Sequence, residues 1–101
     1  MQHIAILRLK PEASEPMQAK HRRAEVEKVW ELTLSDTLRA IHFFSGESRG
    51  AVLTLETADR AAAEAAVRSL PMVAAGLLDA EVLTLAPFTG LSALFGAPAA
   101  S

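Results

Sequence analysis

The chain contains no cysteine. That excludes disulfide frameworks, thiolate metal sites and thiol nucleophiles, and it agrees with a reducing compartment. Blocks of like charge are also missing: ten Lys and Arg and twelve Asp and Glu are interspersed along the chain, for a formal net charge of −2. No basic stripe invites nucleic acid, and no charged tail stands out. No apolar run approaches the roughly 18 residues of a membrane span. The opening MQHIAILRLKP is too short, and charged too early, for a secretory signal. The three histidines never fall as H-x-H or H-x-x-x-H, so no ligand spacing supports a metal and none is expected. The expectation is a cytoplasmic protein with neither nucleic acid nor membrane as a partner.

What is present is enough for one core, since half of the 101 residues are apolar and a single domain needs most of such a length. His3 to Leu9 reads as a strand ended by Lys10-Pro11, where proline has no N–H for the ladder. From Pro16 to Leu34 the period is helical. Ala19, Arg23, Val26, Val29, Trp30 and Thr33 share a face that is expected to be buried, with Trp30 as a core anchor. Lys20, Arg22, Glu25, Glu27, Lys28 and Glu31 are expected to form the solvated side. Leu38 to Ser45 and Ala51 to Glu56 are strands. Thr57 and Asp59 open a second helix with capping chemistry, Ala63, Ala66, Val67 and Leu70 form its buried stripe, and Pro71 breaks it. After a tight turn at Gly76, Glu81 to Ala86 is the last strand.

The loop between the middle strands spells G-x-S-x-G, from Gly46 to Gly50. A nucleophile elbow of that spelling needs a strand-to-helix turn in a large α/β sheet with a distant acid and histidine. Here the flanks are strand and strand, so a hairpin loop is expected and Ser48 is not a nucleophile. The order β-α-β-β-α-β is the split βαβ of a ferredoxin-like α+β fold, an antiparallel sheet with two helices on one face. Several strands are apolar on both faces, as in Ile4 and Ile6 against Ala5, Leu7 and Leu9. A sheet face left bare in that way would be a contiguous apolar patch, so pairing face to face in a homodimer or higher homo-oligomer is expected.

The ending LPMVAAGLLDAEVLTLAPF resembles the ends of two groups of dimeric α+β barrel proteins. YCII-related proteins commonly show a proline followed by an aromatic, then VAAG and a strand ending in Pro-Phe, matched by Pro71, Val73 to Gly76 and Pro87-Phe88. The muconolactone isomerase family shows a Leu-Pro before a D-x-E-V-like strand start, matched by Leu70-Pro71 and Asp79 to Val82. DTLRAIHFFSG, residues 36–46, is similar to that family's turn, strand-borne Arg and closing Gly, at Arg39 and Gly46. The resemblance implies a dimeric α+β barrel over residues 1–88, with a tail, 89–101, that reaches toward a neighbouring subunit. In the YCII-related group an Asp precedes the proline as half of a His-Asp pair; Leu70 stands there instead, so that dyad lacks its acid.

The activity implied by the second group is cofactor-independent proton transfer on a small, partly apolar lactone or carbonyl compound, of the muconolactone isomerase type. Such a step needs a base near the carbon acid and a donor or cation near the oxygen. Arg39 is the candidate cation, and His42 or His3 the candidate proton carrier; Arg39 and His42 are three residues apart and so fall on opposite pleat faces. Two other readings stay open. One is a non-catalytic small-molecule binding or assembly protein, favoured by the missing dyad acid. The other is cofactor-free oxygenation of an aromatic substrate, which also occurs among dimeric α+β barrels. In the tail, Phe88, Leu91, Leu94 and Phe95 are expected to cover a partner's surface or the barrel mouth, and residues 96–101 to fray.

Overall fold

The structure is a computed structural model and describes residues 1–96. It contains β1 (Gln2–Leu9), α1 (Glu15–Leu34), β2 (Leu38–Phe43), β3 (Gly50–Glu56), α2 (Arg60–Arg68), a single helical turn α3 (Pro71–Ala74) and β4 (Leu78–Thr84), followed by a 3-10 segment (Thr89–Phe95). The four strands form one antiparallel sheet in the order β2-β3-β1-β4, so β1 and β2, joined through α1, are separated by β3. This is the ferredoxin-like α+β arrangement expected from the sequence. Among the described residues no helix is long and apolar enough to cross a membrane.

Local chemistry explains where the elements start and stop. Ser14 caps α1 by accepting a hydrogen bond from the Met17 N–H, and Pro16 sits in the first turn, where its missing N–H costs nothing. At α2 the cap is Asp59, whose Oδ1 accepts from the Ala62 N–H at 2.8 Å. Thr57 instead donates its hydroxyl to the Asp59 carbonyl. Pro71 ends α2 and also begins α3, whose turn closes at Gly76 with φ +77°, a left-handed conformation that glycine adopts without penalty. The last strand starts three residues earlier than the sequence pattern suggests, because Leu78 and Asp79 already pair with Leu9 and Arg8.

Alternation divides the sheet cleanly. His3, Ala5 and Leu7 of β1 lie opposite Leu55, Leu53 and Ala51 of β3, and all six are buried under the helices. Ala63 and Val67 of α2 and Leu70 pack on them, with Val29 and Leu32 of α1 alongside. The other face carries Ile4 and Ile6 opposite Thr54 and Val52, with Leu83 opposite Ile4. Among the described residues, no helix packs on it. It is the bare apolar face anticipated from strands that are hydrophobic on both sides.

Two expectations for α1 are corrected. Val26 and Trp30 are exposed, at 63% and 60%, and Trp30 is no core anchor. Conversely, Glu25 and Lys28 are half-buried, and the inward side of the helix runs through Gln18, His21, Glu25, Val29 and Leu32. Both stripes have helical spacing, and the more apolar one faces away from the sheet. The reason is that part of the space beneath α1 is an open cavity rather than filled core, and polar side chains line it.

Candidate functional site

That cavity, of about 500 Å³, lies between the helix-covered face of the sheet and the inner side of α1, and opens near the β2-β3 loop. Its volume is within the range of small-molecule sites, roughly 300–1,000 Å³. Leu7, Ala51, Val29 and Leu70 provide apolar walls, and Met72 approaches from α3. Phe43 and Val26 line its outer part, Phe43 at 90% exposure. Besides the hydroxyl of Ser48, three longer polar side chains converge from α1 and the loop: Gln18, Glu25 and Arg49.

Each is held by specific contacts. Gln18 is buried; its Nε2 donates to the Ala13 carbonyl at 3.1 Å, and its Oε1 accepts from Arg49 Nη2 at 3.4 Å. Arg49 has no carboxylate partner among the described residues. Glu25 accepts the Met72 N–H at 3.0 Å through Oε1, which ties α1 to the first turn of α3. Burial pushes the Glu25 carboxyl above the ordinary carboxylate value, while the Met72 hydrogen bond and the nearby His21 pull it part of the way back. A carboxyl that exchanges its proton closer to neutrality, in a largely apolar cavity, is suited to general acid–base work.

The residues singled out from the sequence lie outside the cavity; His3 and Arg39 both act on the Glu56 carboxylate, and His42 lies on the other face of the sheet. His3 is fully buried on the helix-covered face, with Nδ1 3.0 Å from Thr84 Oγ1. His42 is exposed opposite Val52 on the bare face. Arg39 sits at the register shift of β2, exposed, and donates from Nε to the Asp36 carbonyl at 2.7 Å. None of the three lines the cavity. Ser48 does line the cavity, from a loop between two strands as expected and not on an elbow. Among the described residues, no group of three or more His, Asp or Glu could hold a metal ion.

Glu25 escaped sequence reasoning because it sits among charges that read as a solvated face. The signal was the run Gln18, His21, Glu25, Val29 and Leu32 at steps of three and four, ending in two apolar residues.

No family model and no curated protein matches the sequence, but solved structures match the fold. Muconolactone isomerase superposes with a TM-score of 0.71 at 17% identity, over 87% of this chain and 91% of that one. The fold is that of muconolactone isomerase. A 5-chloro-2-hydroxyhydroquinone dehydrochlorinase from Burkholderia phenoliruptrix AC1100, solved with 2,5-dihydroxybenzoquinone, also scores 0.71, at 15% identity over 85% and 94% of the two chains. At such identities the muconolactone isomerase fold is established for this chain, and the chemistry has to be argued from its own cavity.

Proposed function

We propose that the protein catalyses proton transfer on a small, mostly apolar ring compound carrying a carbonyl or hydroxyl oxygen, without a cofactor, as an isomerase-type enzyme. The observation that carries this reading is the Glu25 carboxyl, raised by burial and set in the wall of an apolar cavity of about 500 Å³. As carboxylate, Glu25 takes a proton from carbon; as acid, it returns that proton to a neighbouring atom of the same molecule, so the proton is conserved and no redox partner is needed. Gln18 and Arg49, at the loop end, hold the substrate oxygen on which charge builds as the proton leaves. The two structural neighbours are named for reactions of a lactone and of a hydroxylated ring, which agrees with a ring substrate of that size.

A second reading places the chemistry on the bare sheet face. It is favoured by His42, which is exposed there, with Arg39 at the edge. A second copy closing over this face would make it the interior of a barrel, with Arg39 orienting the substrate and His42, or His3 through the core side, moving the proton. The homodimer, the cytoplasmic setting and a tail from Thr89 onward that packs on the partner belong to the same proposal; Phe88, Leu94 and Phe95 are all at least three-quarters exposed.

Proton–deuterium exchange separates the readings. The protein is incubated in heavy water with butenolides, muconolactone included, and with hydroxylated quinols, and the carbon-bound protons are followed by NMR. Exchange that is lost in Glu25→Gln and kept in His42→Gln and Arg39→Gln is the expected result. Loss in the latter two with Glu25→Gln unaffected moves the site to the bare face, and no exchange above buffer with any compound leaves a binding or assembly protein.

A further inference from the structure

The outer side of α1 makes no core contact, and only Val26 at its margin reaches the outer part of the cavity. Val26, Trp30 and Leu34 are exposed at 63%, 60% and 65%, and with Ala19 they form one stripe at helical spacing. The core contacts of the same helix, Val29 and Leu32, lie on another side. A tryptophan between two aliphatic residues on a free helix face has the composition of an interface centre.

The charges beside the stripe identify its occupant. Beside Glu15, the first half of α1 carries Lys20, Arg22 and Arg23, and beside Lys28 the second half carries Glu25, Glu27 and Glu31, so the two halves keep opposite net charge. Turned end for end, the helix is therefore its own electrostatic complement, which is what a two-fold contact between identical surfaces requires. A parallel copy would set like charges side by side. Within one chain, Arg22 pairs with Glu15 and Arg23 with Glu27, largely exposed contacts of small worth that can exchange for contacts across an interface; the half-buried Lys28 pairs with Glu31. Lys20 has no carboxylate partner among the described residues.

We propose that α1 packs antiparallel against α1 of a second copy, with the apolar stripe at the centre and the basic half of each helix beside the acidic half of the other. A helix of this length offers about 30 Å of contact. The surface is separate from the bare sheet face, so both contacts can operate together and build an assembly larger than a dimer. The inference does not depend on the enzymatic reading.

The chain has one tryptophan, so Trp30 reports on this contact directly. Sedimentation mass and tryptophan emission are measured on the full chain over a dilution series. The expected result is blue-shifted emission, protected from acrylamide, that shifts red as the mass falls. Val26→Glu, at an exposed position that leaves the fold intact by circular dichroism, is expected to halve the mass and expose Trp30. A decisive arm uses two charge variants: Lys20→Glu/Arg23→Glu and Glu27→Lys/Glu31→Lys each fail to pair through this helix, and mixing them restores the mass and the protected emission. Exposed emission at every concentration overturns the proposal. So does a Val26→Glu protein of unchanged mass, or a mixture no larger than its separate components; protected emission with unchanged mass would assign the stripe to a different occupant.

Discussion

Leu53→Ala is the sharpest test of the core beneath the site. Leu53 is fully inaccessible at the centre of β3, with Ala5 across one ladder and Ile41 across the other. Truncation to alanine removes a buried isobutyl group, and such changes cost about 2–5 kcal/mol depending on how far the surroundings collapse. Collapse is limited here. Ala5 offers only a methyl group, and the backbone of β3 is fixed by hydrogen bonds to strands on both sides. The upper part of the range, about 3–5 kcal/mol, follows. At roughly 4–8 °C per kcal/mol for a domain of this size, the lower figure already corresponds to about 12–24 °C in Tm. Urea unfolding at one fixed protein concentration measures it, because self-association of the kind proposed would make apparent stability concentration-dependent. The midpoint should fall with the slope unchanged. A loss under about 1.5 kcal/mol would refute a rigid, closely packed sheet floor.

Four further outcomes follow from named contacts. Asp59→Ala removes the α2 cap and should cost about 1 kcal/mol; thermal unfolding indistinguishable from wild type would show the cap to be idle. Gly50→Ala drives a methyl group into the Leu7 carbonyl oxygen and the Phe44 ring, so β1 and β3 must part at that end, and the variant should lose several kcal/mol or fail to accumulate as soluble protein. Because folding raises the Glu25 carboxyl value, its protonated form favours the fold; that contribution is complete below the unfolded value of about 4.3 and is lost as pH rises through the raised one. Glu25→Gln keeps an acceptor for the Met72 N–H, so its stability relative to wild type should climb as pH goes from about 4 to 7, and a flat or falling difference in denaturation midpoints would contradict the burial argument. Removal of residues from Thr89 onward should lower the oligomer mass; an unchanged mass and stability would free the tail from any partner contact.

The architecture was legible because it is written in features that local physics enforces. Proline and glycine bound the strands, capping chemistry at Asp59 opens α2, and apolar residues on both faces of β1 announce a sheet with one apolar face left bare. Strand ends were less legible: the start of β4 depends on pairing with Leu9 and Arg8, which no local pattern encodes. The site was legible least of all. A helix with two candidate stripes is usually assigned its more apolar one as the core side, and α1 is the exception because a cavity lies beneath it and its apolar surplus, Val26, Trp30 and Leu34, faces outward. Arg39 was chosen from the resemblance to the isomerase family and His42 and His3 for their chemistry, and neither ground says which residues meet in the fold. The tail positions 97–101, expected to fray, lie outside the described residues.

The account rests on Glu25 as a proton carrier in the cavity, and its titration can be followed without knowing the substrate. Protein labelled with carbon-13 at the glutamate side-chain carboxyl is titrated by NMR, with the Glu25 resonance assigned by its disappearance in Glu25→Gln. The account predicts that this carboxyl titrates above the other glutamates and that its midpoint moves when a hydroxylated quinol or a butenolide occupies the cavity. A midpoint at or below the ordinary value of about 4.3, unmoved by any such compound, would contradict it.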